Sequence, residues 1–155
     1  MKTWVPLAVA AAIVFSPVAG WSDLPVQVKW LGSGGWGYNS AYCSLYDTKT
    51  VKSIRGTVIT VDTITPMPGM TEGVELQLQT KQGNVSVHLG PRWYVENQDI
   101  DLEPKDMVEV TGSFINCAGQ RILAAAKIRK GDQVIRLRDA KGIPLWSAWH
   151  DEKSK

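Results

Sequence analysis

Val74, Leu76 and Leu78 alternate with Glu75, Gln77 and Gln79, the period-two pattern of a strand with one buried face. Lys81-Gln82-Gly83-Asn84 supplies turn residues, and Val85, Val87 and Leu89 then resume the alternation, with Ser86 and His88 on the other face. Two such runs around a short Gly/Asn turn predict a hairpin. Upstream, Ile54, Val58, Ile59 and Val61, with Thr57 and Thr60, make a long β-rich run. Gly56 inside it predicts a bulge or sharp bend. Thr65-Pro66-Met67-Pro68-Gly69-Met70 breaks that run. Downstream, Val108, Val110 and Phe114 line one face of a fourth strand, and residues 121–128, Ala-rich at their centre, run back as a fifth. Gly131-Asp132 turns the chain into Val134-Ile135-Arg136-Leu137-Arg138. Gly142-Ile143-Pro144-Leu145-Trp146 is extended and apolar, and Trp146 and Trp149 are expected to pack on the body.

Between the third and fourth strands, Gly90-Pro91 ends the alternation and residues 91–98 predict a short helix carrying Arg92, Trp93 and Tyr94. Five strands with one helix between the third and fourth follow the order of an OB-fold barrel, in which that helix plugs the barrel end. An SH3-like barrel is the alternative, and it usually lacks the inserted helix. The expected fold is therefore all-β: a five-stranded OB-fold barrel with an irregular N-terminal arm.

The ends of the chain refine this outline. Met1-Lys2-Thr3 gives a short positive start, residues 5–15 are almost wholly apolar, and Ser16-Pro17-Val18-Ala19-Gly20 offers small residues for cleavage after Gly20. Residues 1–20 read as a signal peptide, the apolar run being short for a spanning helix of about 20 residues. Export to the periplasm follows, with no stable membrane insertion after cleavage. Residues 21–50 form a Gly- and aromatic-rich arm, in which Trp30, Trp36, Tyr38, Tyr42 and Tyr46 are expected to dock on the domain. Residues 51–149 are the OB domain with a C-terminal extension, and 150–155 a polar tail.

Charge narrows the partners. The chain has 17 Lys and Arg against 15 Asp and Glu, and Lys2 leaves with the leader. Residues 96–109 are acid-rich and residues 127–138 basic, which reads as two solvated faces. Nucleic acid would demand a larger basic excess and access that export denies, so a periplasmic protein or small ligand is the expected partner. Cys43 and Cys117 belong to no CxxC or CxxCH motif, which leaves dithiol chemistry and covalent c-type haem unsupported. In an oxidising compartment they could instead form one disulfide.

His88-Leu89-Gly90-Pro91 with Trp93-Tyr94, and Leu137-Arg138-Asp139 with Pro144-Leu145-Trp146, carry a resemblance extending over residues 51–149. The chain resembles a family of small exported bacterial OB-fold proteins, found alone or attached to redox and magnetosome-associated proteins. The resemblance implies the fold and compartment, and a magnetosome-associated accessory role as one alternative; it implies no reaction. Periplasmic OB-fold stress proteins are similar in architecture only.

Three chemistries remain to be weighed. On an OB barrel the face of the second and third strands binds ligands, which here places Gln77, Gln79, Ser86 and His88 beside Arg92 and Trp93 as a recognition surface. Met67, Met70 and His88 together would suit a soft cation, above all Cu(I), because thioether sulfur and imidazole prefer it to hard ions. This set is similar in ligand type to the periplasmic copper chaperone of the Cus efflux system. An enzyme is not expected: no nucleophile has an activating neighbour in sequence, His150 lies in the tail, and Gly32-Ser33-Gly34-Gly35-Trp36-Gly37 lacks the Lys-Ser/Thr of a P-loop.

Overall fold

The computed structural model describes residues 34–147. The leader with its Gly20 cleavage site, Trp30, Trp149 and His150 lie outside the described residues. Six strands form one sheet: β1 (Val51–Ile64), β2 (Gly73–Thr80), β3 (Gly83–Pro91), β4 (Met107–Cys117), β5 (Gln120–Lys130) and β6 (Gln133–Arg136). Neighbours in the order β3-β2-β1-β4-β5-β6 pair antiparallel. A short parallel pairing, Val87 with Leu123 and His88 with Ala124, joins β3 to β5. The first five strands therefore close into a ring of pairings, and β6 adds a sixth strand as a hairpin on β5. Among the described residues no helix is long and apolar enough to cross a membrane.

The ring closes because β1 serves two partners. Its first half, from Val51 to Thr57, pairs with β4, and its second half, from Thr57 to Ile64, with β2. Gly56 marks the change of partner: a Cβ there would stand 2.7 Å from the carbonyl oxygen of Gln79. The register shift itself falls a little later, between Val58 and Thr60. The inward alternation on β2 is as regular as its sequence, with Val74, Leu76 and Leu78 buried between more open neighbours. Full burial of a leucine contributes up to about 3 kcal/mol, so Leu76 and Leu78 anchor this hairpin.

Three sequence expectations change. The sheet has six strands where five are expected, because residues 133–136 pair with β5 across the Gly131 turn. Phe114 does not share the buried face of Val108 and Val110. A register shift between Thr111 and Gly112 passes inward orientation to Ser113, Ile115 and Cys117, and Phe114 lies half-buried under the Arg121 guanidinium, 4.4 Å from its ring centre. One inserted residue is enough to swap the faces of a strand. The helix α1 is Arg92–Val95, shorter than residues 91–98. After it, Asn97 and Gln98 donate backbone N–H groups to the carbonyls of Tyr94 and Val95, three residues back. Their side-chain amides turn to the carbonyls of Trp93 and Tyr94. Such side-chain bonds compete with helix continuation.

Gly112 controls closure of β4 on β5, since a Cβ would stand 2.1 Å from the Ala124 carbonyl oxygen and within 3 Å of other backbone atoms of Ala124 and Ala125. Gly112→Ala is expected to destabilise the domain by about 3 kcal/mol or more, because neither strand can yield without breaking the ladder. Urea unfolding followed by circular dichroism checks this; a loss below about 1 kcal/mol would mean that the pairing adapts.

Candidate functional site

The outer face of the β2–β3 hairpin carries Glu75 opposite His88 and Gln77 opposite Ser86. Strand alternation puts these four side chains outside the ring, where they would ordinarily meet water. They do not all meet it. The arm, with single 3-10 turns at Cys43–Leu45 and Thr48–Thr50, lays Tyr42 over His88, which is left only 4% exposed. The Tyr42 hydroxyl and His88 Nδ1 are 3.0 Å apart and both are buried. On the far side of the ring, His88 Nε2 faces Glu75 Oε2 at 3.4 Å. The Gln77 amide donates to Glu75 Oε1 and reaches Ser86 Oγ at 2.7 Å. A chain of polar contacts thus runs from a buried phenol to the surface.

The proton positions follow from donor and acceptor chemistry. A carboxylate can only accept, so the ring proton is assigned to Nε2, facing Glu75; Nδ1 then accepts from the Tyr42 hydroxyl. Burial lowers the His88 pKa from 6.5 to about 4. The Glu75 carboxylate favours the imidazolium, but at 3.4 Å, with one oxygen taken by Gln77, it does not offset desolvation. His88 is neutral at pH 7. Burial also pushes the Tyr42 phenol far above its ordinary value, against an opposing pull from the Arg138 charge, so Tyr42 keeps its proton.

Aromatic rings build the cover. Trp36 meets Tyr42 edge-on at 4.9 Å and Trp146 at 6.2 Å, and Trp146 meets Tyr94 at 5.6 Å. Trp36 donates its indole N–H to the Thr71 carbonyl, and Trp146 donates to the carbonyl of Trp36. Two glycines make the floor: a Cβ at Gly73 would stand 2.4 Å from Trp36, and one at Gly90 2.8 Å from Trp146. Arg138 is buried among the same residues. Its guanidinium lies 4.7 Å from the Tyr46 ring centre and donates to the Gly142 carbonyl, while its Nε has no partner.

The residues expected to form one recognition surface are divided among several places. Gln77, Ser86 and His88 share the polar chain just described. Gln79 lies on the wall of an open groove of about 490 Å³, lined among others by Arg55, Lys81, Met107, Val108, Glu109 and Arg129. Arg92 is held by Glu72 at 2.9 Å and by Glu96, and Trp93 stands edge-on to Tyr94 at 6.3 Å. Met67 and Met70 are half-buried against the core, with Met70 packed over Gly35 of the arm. His88, the imidazole of the expected soft-cation set, has its Nδ1 on the Tyr42 hydroxyl and its Nε2 facing Glu75. Among the described residues, no group of three or more His, Cys, Asp or Glu side chains is placed to hold a metal ion. The bridge that Cys43 and Cys117 could form is not present. Both are free thiols, turned to different carbonyls: Cys43 to Trp36 at 3.2 Å and Cys117 to Pro66 at 3.5 Å.

Of the arm aromatics expected to dock, Trp36 and Tyr42 are buried on the domain, whereas Tyr38 stays exposed. The contact of Tyr42 with His88, the burial of Arg138 and the exposure of Met107 carry no signal in the sequence, while the hairpin register places Glu75 opposite His88.

Fold and site together define a small all-β domain with an aromatic arm sealing one sheet face. The chain belongs to the MamS/MamX magnetosome protein family, whose model matches residues 50–135. No curated protein matches it. Among solved structures it is similar to a ZRD-deleted mutant of TiaS in complex with agmatine, with 21% identity and a TM-score of 0.40. That similarity covers 56% of this chain and 25% of the other, so the chain spans about a quarter of that structure.

The low His88 pKa makes stability depend on pH. Between about pH 6.5 and 4 the unfolded chain binds a proton at this site that the folded chain does not, so stability is full above 6.5 and falls on acidification. The expected loss between pH 7 and 5 is about 2 kcal/mol, read by urea unfolding at each pH. His88→Gln should flatten that dependence, and an unchanged slope would place the responsible group elsewhere.

Proposed function

We propose that this chain is a non-catalytic, magnetosome-associated accessory protein, built on an OB-type barrel and exported by a leader cleaved near Gly20, that binds an acidic segment of a partner protein. The closed ring of five strands, with its parallel β3–β5 contact and the helical turn α1 following β3, supports the OB-type assignment. Membership of the MamS/MamX family supports the magnetosome setting.

One observation carries the binding reading: Met107 is 79% exposed in the groove where β1 changes partners. A thioether side chain so placed is an adaptable apolar contact. The charges around it select the partner. Arg55 holds Glu109 at 2.8 Å, and Arg129 and Lys127 also act on that carboxylate, keeping it below its ordinary value. Glu109 is thereby satisfied, while Lys81 and Arg129 leave the rim with a positive excess. Complementary charge of this kind governs which partner approaches and how fast.

A peptide alternating Glu and Leu tests this with protein carrying 13C-labelled methionine methyl groups. The Met107 resonance should move on titration, the shift should fade as salt rises, and Lys81→Glu with Arg129→Glu should weaken binding at least about tenfold. An equal response to a Lys/Leu peptide, or none at Met107, would defeat the reading.

A further inference from the structure

Five aromatic side chains make a continuous path through the cover. Trp93 and Tyr94 lie 6.3 Å apart by ring centres, Tyr94 and Trp146 5.6 Å, Trp146 and Trp36 6.2 Å, and Trp36 and Tyr42 4.9 Å. Trp93 is half-exposed, and the other four are buried. Indoles and phenols are the side chains most readily oxidised by one electron, and rings in near contact exchange electrons quickly. Packing accounts for the rings. It does not account for a buried phenol bonded to a buried neutral imidazole, since apolar groups of the same shape would fill that space without two polar groups to satisfy.

Proton acceptors distinguish the members of the path. Losing an electron makes a phenol strongly acidic, so the hole settles where a base can take the proton. The hydroxyl of Tyr94 donates to the Arg136 carbonyl, and the two buried indoles donate to the carbonyls of Thr71 and Trp36. A peptide carbonyl is too weak a base. Tyr42 meets an imidazole lone pair, at 3.0 Å.

We propose that Tyr42 is a redox-active tyrosine, with the aromatic path as its electron conduit and His88 as its proton acceptor. The external oxidant is a one-electron acceptor able to oxidise an indole, namely an oxygen-derived radical or a high-valent metal centre arriving at Trp93. It removes one electron through Trp93, Tyr94, Trp146 and Trp36. The O–H bond of Tyr42 breaks, its proton forms an N–H bond at Nδ1 of His88, and a neutral phenoxyl radical beside an imidazolium remains. The oxidant is reduced by one electron. Glu75, facing Nε2, stabilises the imidazolium and leads toward the surface, its side chain being 15% exposed. A later one-electron reductant returns the electron, and the proton goes back to the phenoxyl oxygen.

Flash photolysis of the full-length protein with photogenerated tris(bipyridyl)ruthenium(III) tests the proposal. A tyrosyl absorption and electron paramagnetic resonance signal should follow an earlier tryptophanyl signal and rise more slowly in D2O. Tyr42→Phe, which keeps the ring and removes only the hydroxyl, should abolish the tyrosyl signal. His88→Gln, which keeps a hydrogen-bonding side chain without the base, should slow its rise by about a hundredfold. Trp93→Phe at the exposed end tests the conduit without opening the core and should also slow the rise. The groups facing the pair are Glu75, Arg138, Cys43 and Cys117. With His88 neutral, the rate should stay flat between about pH 5.5 and 8. A tyrosyl signal that survives Tyr42→Phe overturns the proposal, as does a tryptophanyl signal that decays to no tyrosyl. Trapping of the radical at Cys43 or Cys117 instead of Tyr42 overturns it too.

Discussion

The contact between the Tyr42 hydroxyl and His88 Nδ1 is the constraint on which the upper half of the structure depends. His88 leaves the sheet on its outer face, beside Glu75, where a polar pair would ordinarily be hydrated. Covering it is tolerable only if each polar atom keeps a partner, because an unpaired buried group costs about 1–3 kcal/mol. Tyr42 supplies that partner and so fixes where the arm lies. Trp36 then sits on Gly73, Trp146 on Gly90, and the C-terminal segment is held through the indole bond to the Trp36 carbonyl. Arg138 is enclosed by the same closure, as a cation among rings and carbonyls rather than beside a carboxylate.

The parts legible in the sequence are those governed by local period. Val74, Leu76 and Leu78 against Glu75, Gln77 and Gln79 define β2, its face and its hairpin with β3 without any long-range information. The same alternation puts His88 on the outer face, where it lies. Its exposure was not legible, because the residue that buries it is 46 positions away in an arm with no periodic pattern. Phe114 illustrates a second limit. The shift between Thr111 and Gly112 falls where the chain closely approaches the Ala124 carbonyl on another strand, which no reading of β4 alone can supply. α1 stops at Val95, short of the expected residue 98, because the side-chain bonds of Asn97 and Gln98 to the carbonyls of Trp93 and Tyr94 are not written in the local period.

Of the candidate site, residue types were easier to read than their company. Gln77, Ser86 and His88 were grouped correctly as neighbours on one face, since a single hairpin register relates them. Arg92 and Trp93 belong to the next element, and their separation from Gln79 follows from hairpin geometry: Gln79 lies at the turn end of β2 and Arg92 beyond the opposite end of β3. Met107 escaped notice because an apolar residue opening a strand reads as core. Only the partner change of β1 leaves it facing a groove rather than the interior.

The two surfaces are separable within the fold. The groove residues, from Arg55 to Gly131, all fall inside the family match at residues 50–135, as do Glu75, Gln77, Ser86 and His88. Tyr42, Trp36, Arg138 and Trp146, which close the cover, fall outside it. The sheet thus brings to the aromatic cover an imidazole and a carboxylate, while the segments flanking the matched region bring the phenol, the indoles and the buried cation. The groove lies at the turn end of the β2–β3 hairpin, whereas the arm covers the end where β3 leads into α1. The groove and the Tyr42–His88 bond therefore have no residue in common and are joined through the β2–β3 hairpin.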